Sequence, residues 1–287
     1  MNSMLSYAVK QIIHRTSGYK RILKAINETE NADRDALEHY QLERLIPLIR
    51  HCCRNVPYYS ELFCRNGIVP EDIRQLSDIK KLPMLTREDI LNNYDKLHAV
   101  NVSRRLCQTA ETSGTTGQNI RITRDYRSIL HEEAFINRYL SEFGLSGKNL
   151  RIAHFRGEVL PRERLKSHQF SVKAPFGNRL IFSSFELGPE NFPYYLDQLQ
   201  SFKPHMLYGY PSVLLVLAKL LHDHGVSLQL SAVMTSSENL SPENRLFMES
   251  IFQCRVLDWY GQAERVAAIS LCPRGHYHLV EDYSFIE

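Results

Sequence analysis

Apolar residues recur at helical spacing between residues 33 and 55, at Leu37, Leu42, Leu45, Ile46 and Ile49. This predicts one amphipathic helix there, with Pro57 closing the segment. Short pieces follow, Asn55-Val56-Pro57-Tyr58-Tyr59 and then Ile79 to Asp89, where Thr86 can cap a helix whose first turn holds Glu88 and Asp89. The pattern then shifts to period two. Leu106 to Ala110 reads as a strand, Thr112 to Gly117 as a loop and Asn119 to Thr123 as a second strand. Asp125 caps a further helix that carries Ile129, Leu130, Ile136, Tyr139, Leu140 and Phe143 on one face. Toward the end, strand and helix alternate. Pro211 opens an apolar, buried helix reaching Leu221 with Gly225 as its terminator, and Ser231 to Thr235 is a strand. Ser241-Pro242-Glu243 opens the next helix, and Arg255 to Trp259 is a strand again. Such alternation predicts an α/β fold with a parallel sheet, whose ligands sit outside the carboxyl ends of the strands. Two polar clusters fall at those ends: Ser236-Ser237-Glu238-Asn239 and Tyr260-Gly261-Gln262-Ala263-Glu264.

The chain has 287 residues, enough for one large domain or two small ones. Hydrophobic residues at 43% and charged residues at 23% exclude a disordered or fibrous chain. Thirty-five basic against 32 acidic residues leave a net charge of +3, which argues against nucleic acid as the main partner. The longest apolar run, Val213 to Ala218, is far too short for a spanning helix. Six cysteines without a CxxC pair or a signal peptide point to reduced thiols and a cytoplasmic protein. The first 25 residues carry Lys10, Arg15, Lys20, Arg21 and Lys24 and no acid. They fit either a helix packed on the domain or peripheral contact with an anionic membrane. The expected division is a basic extension over 1–32 and a large nucleotide-binding domain over 33–287.

The chemistry concentrates in Thr112-Ser113-Gly114-Thr115-Thr116-Gly117, four hydroxyls and two glycines in six residues. Glycines let backbone approach a ligand, and convergent N–H and O–H donors suit phosphate oxygens. The same residue types also build a polar hairpin turn. A Walker A loop is disfavoured, because Gln118 stands where its lysine belongs and a strand follows rather than a helix.

Thr-Ser-Gly-Thr-Thr-Gly between two strands resembles the phosphate-binding loop of the adenylate-forming (AMP-forming) ligases, and Tyr260 to Glu264 resembles their second signature, Tyr-Gly-x-Thr/Ser-Glu. The chain looks most like the phenylacetate–CoA ligase and CapK branch of that superfamily. Asn55 to Tyr59, Leu82-Pro83-Met84-Leu85-Thr86, Tyr208-Gly209-Tyr210-Pro211-Ser212 and Glu281-Asp282 all match its habits. The resemblance runs from about residue 35 to the end.

What it implies is a two-step reaction: a carboxylate attacks the α-phosphate of ATP to give an acyl-adenylate and pyrophosphate, and a thiol such as coenzyme A then takes the acyl group. Ser113, Gly114, Thr115, Thr116 and Gly117 would hold the β- and γ-phosphates, with Thr115 and Thr116 in the catalytic set. Glu264 would help hold Mg²⁺, although a carboxylate there would equally suit a helix start. Tyr260 would stack on adenine, in a pocket made by Ser237, Glu238, Asn239, Asp258, Trp259, Gly261 and Gln262. One of Trp259 and Tyr260 belongs to the core, because side chains alternate along a strand. Tyr210 would border the acyl site. Ala263 departs from the family, which has a hydroxyl there. Arg121 and Arg124 follow the loop and would replace the missing lysine electrostatically, although ordinary exposed strand arginines explain them as well.

Cys272 and His278 offer half of a Zn²⁺ site, with Cys254 the nearest further thiol; a buried cysteine and solvent-facing histidines explain them as well. Relatives continue into a small lid carrying a catalytic lysine, which has no counterpart in this sequence. The resemblance therefore implies the large amino-terminal domain of such an enzyme, with slow or no turnover. A non-catalytic relative, binding nucleotide or partners in cell-surface polysaccharide biosynthesis, is the other reading.

Overall fold

The computed structural model describes residues 16–111, 119–147, 149–175 and 177–286. The hydroxyl loop, Thr112 to Gln118, lies outside the described residues. The chain forms two compact units. One comprises Ile136–Gly261 and Ala268–Leu279 with the described residues up to Lys20; the other comprises Arg21–Phe135, Gln262–Ala267 and Val280–Glu287.

The first unit is built on an eight-stranded sheet. Its strands are β3 (Ile152–Arg156), β4 (Ser171–Lys173), β5 (Arg179–Ser183), β6 (Met206–Gly209), β7 (Ala232–Ser236), β8 (Arg255–Gly261), β9 (Ala268–Leu271) and β10 (Tyr277–Leu279), in the order β10-β9-β8-β7-β6-β3-β5-β4. The five strands β8, β7, β6, β3 and β5 are mutually parallel, and antiparallel strands flank them on both edges. Helices α7 (Phe192–Phe202), α8 (Pro211–Asp223) and α9 (Pro242–Phe252) make the crossovers, since parallel neighbours need a long connection. A parallel sheet covered on its faces reads as continuous apolar strands, and Ala232 to Thr235 and Val256 to Trp259 are buried at every position. Phe155 and Phe182 face each other across β3 and β5 with rings stacked at 4.7 Å. They join Tyr195, Leu199, Leu214, Leu217, Met248 and Phe252 in one core.

The predicted caps behave as their chemistry requires. Ser241 accepts the Asn244 N–H at 3.2 Å, and Pro242 and Pro211 occupy the first positions of their helices, where a missing N–H costs nothing. Gly225 takes the left-handed conformation that ends α8.

The second unit holds α2 (Arg34–Asn55), capped by Asp33, then α3 (Pro57–Arg65) and α4 (Arg87–Asn92), preceded by α1 (Ser17–Glu28), whose start belongs to the first unit. Pro57 does not simply close a helix: it opens α3, using the same tolerance for proline at a helix start. Thr86 and Asp89 form a reciprocal capping box. Strands β1 (Cys107–Glu111) and β2 (Arg121–Asp125) pair as an antiparallel hairpin whose last pair, Glu111 with Arg121, flanks the hydroxyl loop. The second strand starts two residues later than the alternation from Asn119 implies. Asp125 then accepts the Ser128 N–H at 2.8 Å, at the start of α5 (Tyr126–Glu142). Among the described residues no helix is long and apolar enough to cross a membrane, and all six cysteines are free thiols.

Candidate functional site

The sheet changes direction between β3 and β6: from β3 the chain builds outward to β5, and from β6 it builds the other way to β7 and β8. In open α/β sheets, ligands bind at such a switch point, outside the carboxyl ends of the strands. Two adjoining cavities lie at those ends, and Ser237 lines both.

The larger, of about 410 Å³, is lined by Ser237, Glu238, Asn239 and Leu240 after β7, by Asp258 to Gly261 of β8, and by Ile269 and Tyr277. Trp259 is 3% exposed and packs against Tyr139, whereas Tyr260 is 46% exposed, so Trp259 is the core member of the pair. The buried Trp259 Nε1–H has no acceptor among the described residues, a donor of the kind that a bound polar group or water satisfies. Asp258 is buried, accepting the Thr235 hydroxyl at 2.5 Å on Oδ1 and the Tyr277 hydroxyl at 2.9 Å on Oδ2. Glu238 is tied to the start of α8, accepting the Ser212 N–H at 3.0 Å, where the helix dipole favours a carboxylate. Ser237 sits at φ +72°, a strained backbone that turns the chain sharply at the strand end. The sheet thus brings Ser237, Glu238, Asn239, Asp258, Trp259, Tyr260 and Gly261 around one cavity.

The smaller cavity, about 210 Å³, lies over β3, β6 and β7 and is lined by His154, Phe155, Arg156, Gly157, Tyr208, Gly209, Tyr210, Ser236 and Ser237. His154 and Tyr208 are cross-strand partners whose rings stack at 4.5 Å, and Ser236 donates to the Tyr208 hydroxyl at 3.2 Å. Of these, Tyr210 was anticipated as bordering the acyl site and Ser236 as part of the polar cluster after its strand; His154 and Arg156 were not. The signal for His154 and Arg156 is polar side chains two apart on an otherwise apolar strand.

The second unit holds the turn from Gln262 to Ala267. Glu264 lies in this turn and starts no helix. Arg124 Nη1 of β2 donates to the Ala263 carbonyl at 3.0 Å. Arg124 is therefore committed to the turn carrying Glu264, while Arg121 lies 4.8 Å over the Tyr94 ring and 3.8 Å from Glu111. Arg265, at φ +60°, lies with Nε 2.8 Å from Glu132 Oε2 of α5, a largely buried ion pair whose angle falls outside hydrogen-bond geometry. Burial and the Arg265 cation lower the Arg124 pKa, while Glu132 and Glu264 oppose them. Sequence reading missed Arg265 and Glu132, whose 133-residue separation leaves no local signal.

At the β9–β10 hairpin, Cys272 N–H donates to His276 O at 2.8 Å and Gly275 turns at φ +84°. The ligand atoms of Cys272, His276 and His278 lie within 4.8 Å of one another. His276 was not anticipated as a ligand, although residues two apart at a strand share a face. Cys254 is not part of the cluster, and burial pushes its thiol up to about 11.

No protein-family model matches the chain. Protein CapK of Staphylococcus aureus is 24% identical over 251 residues, covering 87% of this chain and 54% of CapK. Phenylacetate-coenzyme A ligase of Escherichia coli (strain K12) is 33% identical over 93 residues, 32% of this chain and 21% of that protein. A crystal structure of 2-hydroxyisobutyryl-CoA ligase in complex with R3-HIB-AMP superposes with TM-score 0.62 at 16% identity, covering 86% of this chain and 60% of that one. By fold the chain is similar to a 2-hydroxyisobutyryl-CoA ligase, and by sequence to CapK and to the phenylacetate-coenzyme A ligases; it spans about half the length of CapK.

Proposed function

We propose that the chain binds ATP with Mg²⁺ and activates a carboxylic acid as its adenylate, for transfer to a thiol such as coenzyme A. The observation that carries this reading is the cavity of about 410 Å³ at the ends of β7 and β8, lined by the partly exposed Tyr260 and the Ser237–Asn239 loop. The acid's carboxylate oxygen attacks the α-phosphorus and pyrophosphate leaves; the thiolate then attacks the acyl carbon and AMP leaves. Ser113 to Gly117 hold the β- and γ-phosphates. Glu264 supplies a carboxylate to Mg²⁺, which takes most of its ligands from water and phosphate and so needs few from protein. Fixed donors of this kind act by positioning and by neutralising charge on the phosphate. Calorimetric titration with ATP and Mg²⁺ tests the reading. Binding weakened by Glu264→Ala is expected; no binding at millimolar nucleotide, or no effect of the substitution, overturns it.

Ala263 favours a second reading, a non-catalytic nucleotide-binding relative, because no side-chain hydroxyl stands at that position. Pyrophosphate release in the presence of a panel of carboxylic acids separates the two.

The trio of Cys272, His276 and His278 suits a Zn²⁺ ion with one thiolate and two imidazoles, leaving a fourth position to water or another ligand. Inductively coupled plasma mass spectrometry of protein purified without chelator is expected to return one zinc per chain. Cys272→Ser is expected to abolish it, and metal-free native protein that takes up none on dialysis overturns the assignment.

A further inference from the structure

We infer that the second unit carries a binding site of its own, for a small amphipathic acid with an apolar body and a single carboxylate head. The site is a cavity of about 460 Å³, inside the ~300–1,000 Å³ range of small-molecule pockets. It shares no lining residue with the two cavities at the strand ends, so it stands whether or not the chain forms an adenylate. Its walls follow from helix periodicity. On α2, Gln41, Arg44, Leu45 and Leu48 line it at helical spacing, and on α5 Ser128, His131 and Phe135 do the same. Arg265 and Val266 of the turn and the segment from Glu281 to Phe285 complete the lining, and all of these residues belong to the second unit.

The apolar body is called for by Leu45, Leu48, Ile79, Phe135, Val266 and Phe285, which make the lining chiefly apolar. Leu48 and Val266 are 57% and 56% exposed, so a ligand here takes large apolar side chains out of water. The charges decide the head group. Glu281 Oε1 accepts from Arg34 Nη1 at 2.6 Å and Asp282 Oδ2 accepts the Thr29 hydroxyl at 2.5 Å, so both acids of the lining are engaged. Arg265 lies with Nε 2.8 Å from Glu132 Oε2. Arg44 lies 4.8 Å over the Tyr40 ring, and among the described residues no carboxylate pairs with its guanidinium. One uncommitted cation matches one negative charge. His131 registers the same field: burial first, then Arg127 and Arg44, hold its pKa down against Asp125, so cations outweigh the acid around this lining residue. A carboxylate meets the planar guanidinium with two parallel hydrogen bonds, an alcohol makes a weaker neutral contact, and an ammonium is repelled.

The test titrates decanoate, decan-1-ol and decylammonium into the full chain by calorimetry, below their micelle concentrations. Decanoate is expected to bind at least about tenfold more tightly than the alcohol, with the ammonium weakest. The His131 ring resonance, identified by its loss in His131→Gln, is expected to shift with decanoate and to titrate at higher pH, because a neighbouring carboxylate favours the imidazolium. Arg44→Gln is expected to erase the preference for acid over alcohol, and Leu48→Asn to weaken both alike; both side chains are exposed, so neither substitution opens the core. No binding of decanoate, an alcohol that binds as tightly, or binding that leaves the His131 resonance unmoved overturns the inference. So does a dimer in sedimentation velocity that Leu48→Asn dissolves while no acid binds, which would make this face an interface between two copies of the chain.

Discussion

The parallel sheet and the Gln262–Ala267 turn place functional side chains by opposite means. In the sheet, position follows from regularity: strands buried on both faces end together, and whatever follows the last buried residue reaches a cavity. Tyr260 is exposed because Trp259 beside it is core. In the turn there is no repeating pattern. Glu264 is positioned by charges from distant segments, with Arg124 holding the Ala263 carbonyl and Arg265 held by Glu132. One region draws its stability from apolar packing, the other from a charge cluster that stands only while every partner is present.

This contrast can be broken region by region. The largest effect is expected from Phe155→Ala, which empties a fully buried ring position beneath the smaller cavity and should cost about 3–5 kcal/mol. Hydrogen exchange is expected to rise across β3, β5 and β6, with the amides of Tyr126 to Phe135 little affected. Glu132→Gln should cost about 3 kcal/mol, since it strands Arg265 in a site only 11% exposed. Exchange should then rise first in the opening turns of α5; a rise confined to the sheet would contradict the division of labour.

A smaller effect is expected from pH. Burial first, then the Arg127 and Arg44 cations, lower the His131 pKa, with Asp125 opposing them. The folded state therefore disfavours the proton that the unfolded chain accepts near ~6.5. Stability should be full above that pH and fall as the pH drops toward the folded value. Melting temperatures of the native protein and His131→Gln should converge with acidification through that window; parallel curves would remove the histidine from the account. The smallest effect is expected at Lys96→Ala. Its ammonium lies 2.9 Å from Glu61, but both are solvent-exposed, so the loss should stay within about 0–1 kcal/mol by denaturant titration.

In the sheet unit, β7, β8, α8 and α9 were legible in the sequence, whereas β3 to β6 and the β9–β10 hairpin were not. A proline at the first position marks both α8 and α9, with an apolar run and a terminal glycine added for α8 and a serine cap for α9, because helix ends are a local hydrogen-bonding problem. The two polar clusters were legible for a related reason, as they interrupt buried strands. The smaller cavity was less so: His154 and Tyr208 lie far apart in sequence and meet only because β3 and β6 pair in register. The second unit was harder still. Pro57 reads as a stop and is a start, since proline serves both roles and only the following residues' packing distinguishes them.

The α/β class, the elements over 33–143 and 211–259 and the two motifs that resemble adenylate-forming signatures were readable from the sequence, because all of them rest on spacing and on residues within a few positions of one another. The tertiary structure alone decided which strands adjoin and where the sheet changes direction, hence which side chains line each cavity. It also decided that Arg124 serves the Ala263 carbonyl, that Arg265 meets Glu132 and that His276 joins Cys272 and His278. The reason is physical: a cap or a helix face is satisfied by neighbouring atoms, whereas a buried charge or a cavity wall is completed by whatever segment the fold brings against it.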